Sequence, residues 1–130
     1  MSGKECSKTI SVLGHGITID VYDTGAGINI LIEGGEKGHI GAVTVAESGK
    51  VVAEVSFPSH KDGIVCKKWA ETVSRSVCDP VVVEAGIHYD NITREEIQEV
   101  LGALDKELEY LLDQLKLTAV STAATSQRRL

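Results

Sequence analysis

The first half of the chain alternates between apolar and polar positions. KTISVL (8–13), ITIDVYD (17–23), INILIEG (28–34), HIGAVTVAE (39–47) and KVVAEVSF (50–57) are short runs rich in β-branched residues. LGHG, TGAG, GEKG and SG separate them with turn chemistry. Connections this short suit antiparallel neighbours, so the pattern predicts five strands in a meander. Ile17, Ile19 and Val21 share one side, as do Ile28, Ile30 and Ile32, then Val43 and Val45, then Val51, Ala53, Val55 and Phe57. Those are the expected core positions. The opposite side carries Thr18, Asp20, Tyr22, Asn29 and Glu33, but also Leu31, Ile40, Ala42, Ala46 and Val52. A face left wholly to water is more polar than that, which points to partial cover by another subunit.

Past residue 60 the spacing becomes helical. Asp62 is placed to cap a helix reaching about Cys78, with Val65, Trp69, Val73 and Val77 on one stripe. Asp79-Pro80 ends it, because a residue before proline disfavours the helical conformation. PVVVEAGI (80–87) is almost continuously apolar, as an interior strand requires. Thr93 and Glu96 then form a Thr-x-x-Glu capping box, with Ile92 and Ile97 spaced as a hydrophobic staple. The helix behind them carries Ile97, Val100, Leu101, Leu104, Leu108, Leu111, Leu112 and Leu115 on one stripe. TAVSTAATSQRRL loses that periodicity, so 117–130 is expected to be a disordered tail behind a single domain over 1–116. The fold class that follows is α+β. An antiparallel-dominated sheet of about six strands, in the order β-β-β-β-β-α-β-α, packs two helices on one face.

Composition narrows the partners more than the fold. A chain of 130 residues fits one domain with a real core. Its net charge of −6 argues against nucleic-acid and anionic-membrane binding, which need clustered lysine and arginine. No run approaches the ~20 apolar residues that span a bilayer, and MSGKECSK lacks the apolar stretch of a secretory signal. Cys6, Cys66 and Cys78 are odd in number and form no CxxC, as expected of reduced thiols in a cytoplasmic protein.

The candidate chemistry sits where elements end. His39 opens the fourth strand in GGEKGHIG, His60 precedes the first helix in FPSHKDG, and His88 closes the sixth strand in GIHYDN. No HxH or HExxH supports a metal centre, so no metal is expected; a shared pocket at one sheet edge is the sharper reading. Gly34, Gly35, Gly38 and Gly41 surround His39, and Gly86 precedes His88; glycine admits a close ligand, a second backbone or a positive φ. GGEKGHIG is no P-loop, lacking the order GxxxxGK[ST] and a following helix, but it is open to wrapping a phosphate or flavin ring. Ser59-His60-Lys61 before a helix start is a plain anion-site candidate. Asp90 shares strand parity with His88 and is spaced to orient it as a base, though Asp90 and Asn91 also read as turn residues before a capped helix.

GGEKGHIGAVTVAE (34–47) and VVEAGIHYDNITREEI (82–97) together resemble the small prenylated-flavin chaperone-like proteins, the D-subunit-like partners of gallate-type decarboxylases. The likeness runs from about residue 10 to 115 and rests on the patterns GG-x3-HIGAV and AGIH-x-DN-x3-EEI. It implies a non-catalytic accessory protein that assists maturation or cofactor loading of a UbiD-type decarboxylase. It also implies a fold similar to that of small proteasome-assembly chaperones, with a tendency to homodimerise. No tightly bound cofactor is expected, and prenylated FMN is the candidate ligand. The patterned positions are Gly34, Gly35, His39, Gly41, His60, Gly86, His88, Asp90 and Asn91. Around His60 the chain departs from the pattern: Ser59 stands where glycine is expected and Lys61-Asp62 follow. The alternative is a small His/Asp-dependent or metal-assisted enzyme with its pocket at the sheet edge.

Overall fold

A computed structural model of the chain describes residues 4–57 and 62–125. Its strands are β1 (Lys4–Val12), β2 (His15–Asp23), β3 (Ile28–Gly35), β4 (Ala42–Glu47), β5 (Lys50–Ser56) and β6 (Val81–His88). The helices are α1 (Gly63–Val77) and α2 (Arg94–Thr125). Two of the turns are two-residue turns with both central residues at positive φ, Leu13-Gly14 and Ser48-Gly49. That backbone matches the twist of the flanking strands, so β1–β2 and β4–β5 are tight hairpins.

The fold class agrees with the pattern, but the expected meander does not form. The strand order is β1-β2-β3-β6-β4-β5, so β6 inserts between β3 and β4. It pairs parallel with β3, from Ile28 opposite Val81 to Gly35 opposite His88, and antiparallel with β4. An interior place explains its apolar run. Val81, Val83 and Ala85 are buried on one side, while Val82 and Glu84 lie half-buried on the other.

Both helices cover one face. There Ile17, Ile30 and Ile32 are fully buried with Trp69, Val73 and Leu104; burying each isoleucine contributes roughly 2 kcal/mol. On β4 the expected faces are exchanged, and on β5 neither face is buried. Ala42, Thr44 and Ala46 point into the core, Val43 and Val45 lie half-buried on the other face, and Val55 and Phe57 are 54% and 47% exposed. Helix α1 sets this. The Cys66 thiol donates to the Ala42 carbonyl at 3.4 Å, a packing distance that only small side chains on β4 permit.

Helix ends follow local rules. The Thr93 amide donates to Glu96 Oε1 at 2.9 Å and the Glu96 amide to Thr93 Oγ1 at 3.1 Å, closing the capping box reciprocally. Ile92 packs on the core, but Ile97 stays 40% exposed. Cys78 takes a left-handed conformation and donates its amide to the Ser74 carbonyl at 2.8 Å, which stops α1 before Pro80. Helix α2 continues to Thr125, so the backbone of 117–125, expected to be unstructured, is helical; residues 126–130 lie outside the described residues. No helix among the described residues is long and apolar enough to cross a membrane.

Candidate functional site

Because β6 separates β3 from β4, the chain leaving β3 must step across the end of β6 before β4 can begin. Residues 36–41 make that step. The Glu36 amide donates to the His88 carbonyl at 2.8 Å, and the Gly41 amide to the Ala85 carbonyl at 2.8 Å, so the loop is bound to β6 at both ends. Between them the His39 carbonyl occupies the space a Cβ on Gly86 would need. Gly35, at φ +83°, is filled likewise by the His88 carbonyl. Gly34 lies against the backbone of Gly16 and Ile17. In all three places the partner is a second backbone, one of the three uses open to a glycine here.

The loop sets His39 beside α1. His39 Nε2 lies 3.5 Å from Asp62 Oδ2, with the imidazole 19% exposed. Asp62 stands at the N-cap of α1 but makes no side-chain cap bond. Its Oδ1 instead accepts the Ile87 amide at 3.0 Å, so one buried carboxylate joins helix, strand and loop. Both helices begin at this edge, and their positive ends favour the carboxylates of Asp62, Glu95 and Glu96.

His88 forms the second imidazole–carboxylate pair, its Nε2 2.8 Å from Asp90 Oδ1. The His39 and His88 rings meet edge-on with centres 6.2 Å apart. The Asp90 amide donates to the Glu36 carboxylate, tying the turn after β6 to the loop. Asn91 sits at φ +54° in that turn, the conformation asparagine tolerates best after glycine. Tyr89 closes the edge. Its hydroxyl donates to the Val12 carbonyl at 2.7 Å, and its ring meets His15 edge-on at 5.9 Å. Burial, aided by Glu36 and Glu99, raises the tyrosine pKa and keeps the hydroxyl a donor. A cavity of about 180 Å³ opens beside it, walled by His15, Glu36, Tyr89, Asp90 and Glu96.

The edge holds no activated nucleophile among the described residues. Cys66, the nearest thiol to Asp62 in sequence, is pushed up to about 12, first by burial and then by the Asp62 carboxylate. At neutral pH it is a protonated thiol packed on Ala42. No group of three or more His, Cys, Asp or Glu side chains is arranged for a metal ion among the described residues.

Of the sequence candidates, Gly34, Gly35, His39, Gly41, Gly86, His88, Asp90 and Asn91 gather at this one edge. His60 falls in 58–61, outside the described residues. Sequence reasoning missed His15, Glu36 and Tyr89 and gave Asp62 only a capping role. Glu36 had a visible signal, an acidic residue inside the glycine-rich connection. His15 follows the Leu13-Gly14 turn, which the β1–β2 hairpin carries to the same edge.

The family profile of the prenylated flavin chaperone LpdD-like domain matches residues 11–116. Protein LpdD of Lactiplantibacillus plantarum (strain ATCC BAA-793 / NCIMB 8826 / WCFS1) is 34% identical over 73 residues, 52% of this chain and 54% of that protein. The match thus spans about half the length of that relative. Among solved structures, the crystal structure of a novel chaperone complex for yeast 20S proteasome assembly shares the fold, with a TM-score of 0.61 at 16% identity, covering 88% of this chain and 99% of that one. Since the matched span runs from the end of β1 into α2 and holds the whole histidine edge, this chain belongs to the family of prenylated flavin chaperone LpdD-like domains.

Proposed function

We propose that the protein is a non-catalytic, chaperone-like accessory that assists maturation or cofactor loading of a UbiD-type, prenylated-FMN-dependent decarboxylase in the cytoplasm. Its histidine edge is the surface that meets the apo-enzyme or its flavin. The observation that carries this reading is the pair of imidazole–carboxylate couples, His39–Asp62 and His88–Asp90, fixed on one edge with no activated nucleophile beside them among the described residues. The described edge fits a flavin only in part. The amides of Glu36, Gly41, Ile87 and Asp90 are all donated within the protein, so these four are not offered to a phosphate. What the edge offers is alternating donors and acceptors, which suits a heteroaromatic ring edge or a protein segment better than a phosphate. His88 and Asp90 also have the geometry of an oriented base. At 45% and 69% exposure, however, they sit in water rather than in a closed pocket, which favours recognition over catalysis.

The test is the loading of apo-decarboxylase with prenylated FMN, followed by visible absorption with and without this protein. The wild type is expected to speed loading, and His39→Ala with His88→Ala to reduce that gain about tenfold, the scale of one lost charge-assisted hydrogen bond. A wild-type protein that bound neither the enzyme nor prenylated FMN would end the proposal. A double variant that loads as well as wild type would move the surface elsewhere.

The same reading includes a homodimer formed through the helix-free face. Leu31 lies half-buried there, with Val43, Val45 and Val82 on the strands beyond it. Leu31→Lys is expected to elute as a monomer without unfolding. Its cross-strand neighbours are Asp20 and Glu84, so a lysine gains opposite charges within the monomer. An unchanged elution volume would count against this face as the interface.

A further inference from the structure

The opposite end of the sheet holds a second opening. There α2 passes over the start of β1 and the end of β2, leaving a cavity of about 160 Å³. Its wall is apolar, made by Ile19, Val21, Trp69, Leu111 and Leu115. Trp69 is 1% exposed, so its indole forms a fixed floor. The mouth is charged, with Lys8, Asp23 and Glu107 around it. Lys8 is already engaged: its Nζ lies 2.8 Å from Glu107 Oε1 and 4.4 Å from the centre of the Tyr110 ring. The hydrogen bond to Glu107 raises the lysine pKa and keeps it charged. Among the described lining side chains, one cation stands against two carboxylates, a net negative balance.

We infer that this cavity is a binding site for a small uncharged or cationic aromatic molecule of about one ring, and that it rejects carboxylates. Size, lining and charge each contribute. An enclosed apolar cavity of about 150 Å³ takes up benzene; this one has the volume for one ring but opens at a charged mouth, so a polar substituent stays at the rim. The buried indole offers an aromatic neighbour for an edge-to-face or offset arrangement. The negative mouth attracts a cation and repels an anion, and the lysine that would otherwise receive a carboxylate is held by Glu107. The site is separate from the histidine edge and stands without the function proposed there. Asp23 and Gly34 lie at opposite ends of the β2–β3 ladder.

Trp69 is the sole tryptophan and reports occupancy directly. The full chain is titrated with benzyl alcohol, benzylamine and benzoate, which share one ring and differ in charge. Saturable changes in Trp69 emission are expected for benzyl alcohol and benzylamine in the millimolar range, with benzoate at least about tenfold weaker. Cys6 lines the cavity and is exposed, whereas Cys78 is exposed but lies elsewhere. Saturating benzyl alcohol should therefore slow alkylation of Cys6 and leave Cys78 unchanged. Val21→Phe fills the cavity and is expected to abolish both responses. Cys6→Phe, at an exposed position that folding tolerates, should abolish the Trp69 response if Val21→Phe does not fold. Benzoate binding as well as benzyl alcohol, or no saturable response to any probe, overturns the inference. So does protection of Cys6 that appears without a probe and grows with protein concentration, which would assign the cavity to a second copy of the chain.

Discussion

Gly86→Ala is expected to lower the unfolding free energy by about 3 kcal/mol, the upper range for overpacking a well-filled site. The added methyl would fall on the His39 carbonyl, with its carbon and the Ile40 amide nitrogen close behind. Backbone cannot rotate away as a side chain can, so the loop itself must move. It cannot move freely, because the Glu36 and Gly41 amides hold it to β6 on both sides. The substitution therefore sets a methyl group against two hydrogen bonds, and the His39–Asp62 pair shifts whichever gives way. Gly102→Ala is the matched control. It lies within α2 with nothing within 4 Å of a new Cβ, so it should stabilise by up to about 1 kcal/mol through helix propensity. Denaturant unfolding of both variants separates the readings. If Gly86→Ala costs no more than about 0.5 kcal/mol, the loop is not locked over β6 and the edge is softer than described.

What the sequence disclosed and what it hid follow from the range of each interaction. The Thr93–Glu96 capping box was legible because both its bonds close within three residues. The isoleucine faces of β2 and β3 were legible because alternation there has one buried side. Strand order was not, since nothing local records that β6, arriving after α1, will part β3 from β4. One trace remained: the connection 36–41 is longer than the two-residue turns Leu13-Gly14 and Ser48-Gly49, as a chain stepping over an intervening strand must be. The faces of β4 failed for another reason. Its valines and alanines are both apolar, and only the closeness of α1, seen in the Cys66–Ala42 hydrogen bond, decides that the small ones turn inward. The site followed the same division. Patterned glycines and histidines pointed to one edge, while Asp62, which reaches Ile87 across 25 residues of sequence, read as an ordinary helix cap.

That reach makes Asp62 the second large prediction. Asp62→Ala is expected to cost about 2–3 kcal/mol, because it removes a buried acceptor from the Ile87 amide and the anion facing His39. A surface cap residue would cost less, about 1 kcal/mol. Asp62→Asn divides the two contributions. Its side-chain oxygen can still accept from Ile87, so it should recover about half of the loss, and what remains belongs to the carboxylate opposite His39. Neither variant alters the backbone bond from the Cys66 amide to the Asp62 carbonyl at 3.0 Å, so α1 keeps its first turn in both. Equal losses for alanine and asparagine would mean that the charge facing His39, rather than the Ile87 bond, holds the edge together. A loss below about 1 kcal/mol in both would mean that the Asp62 side chain joins nothing and leave loop, strand and helix to be held by packing alone.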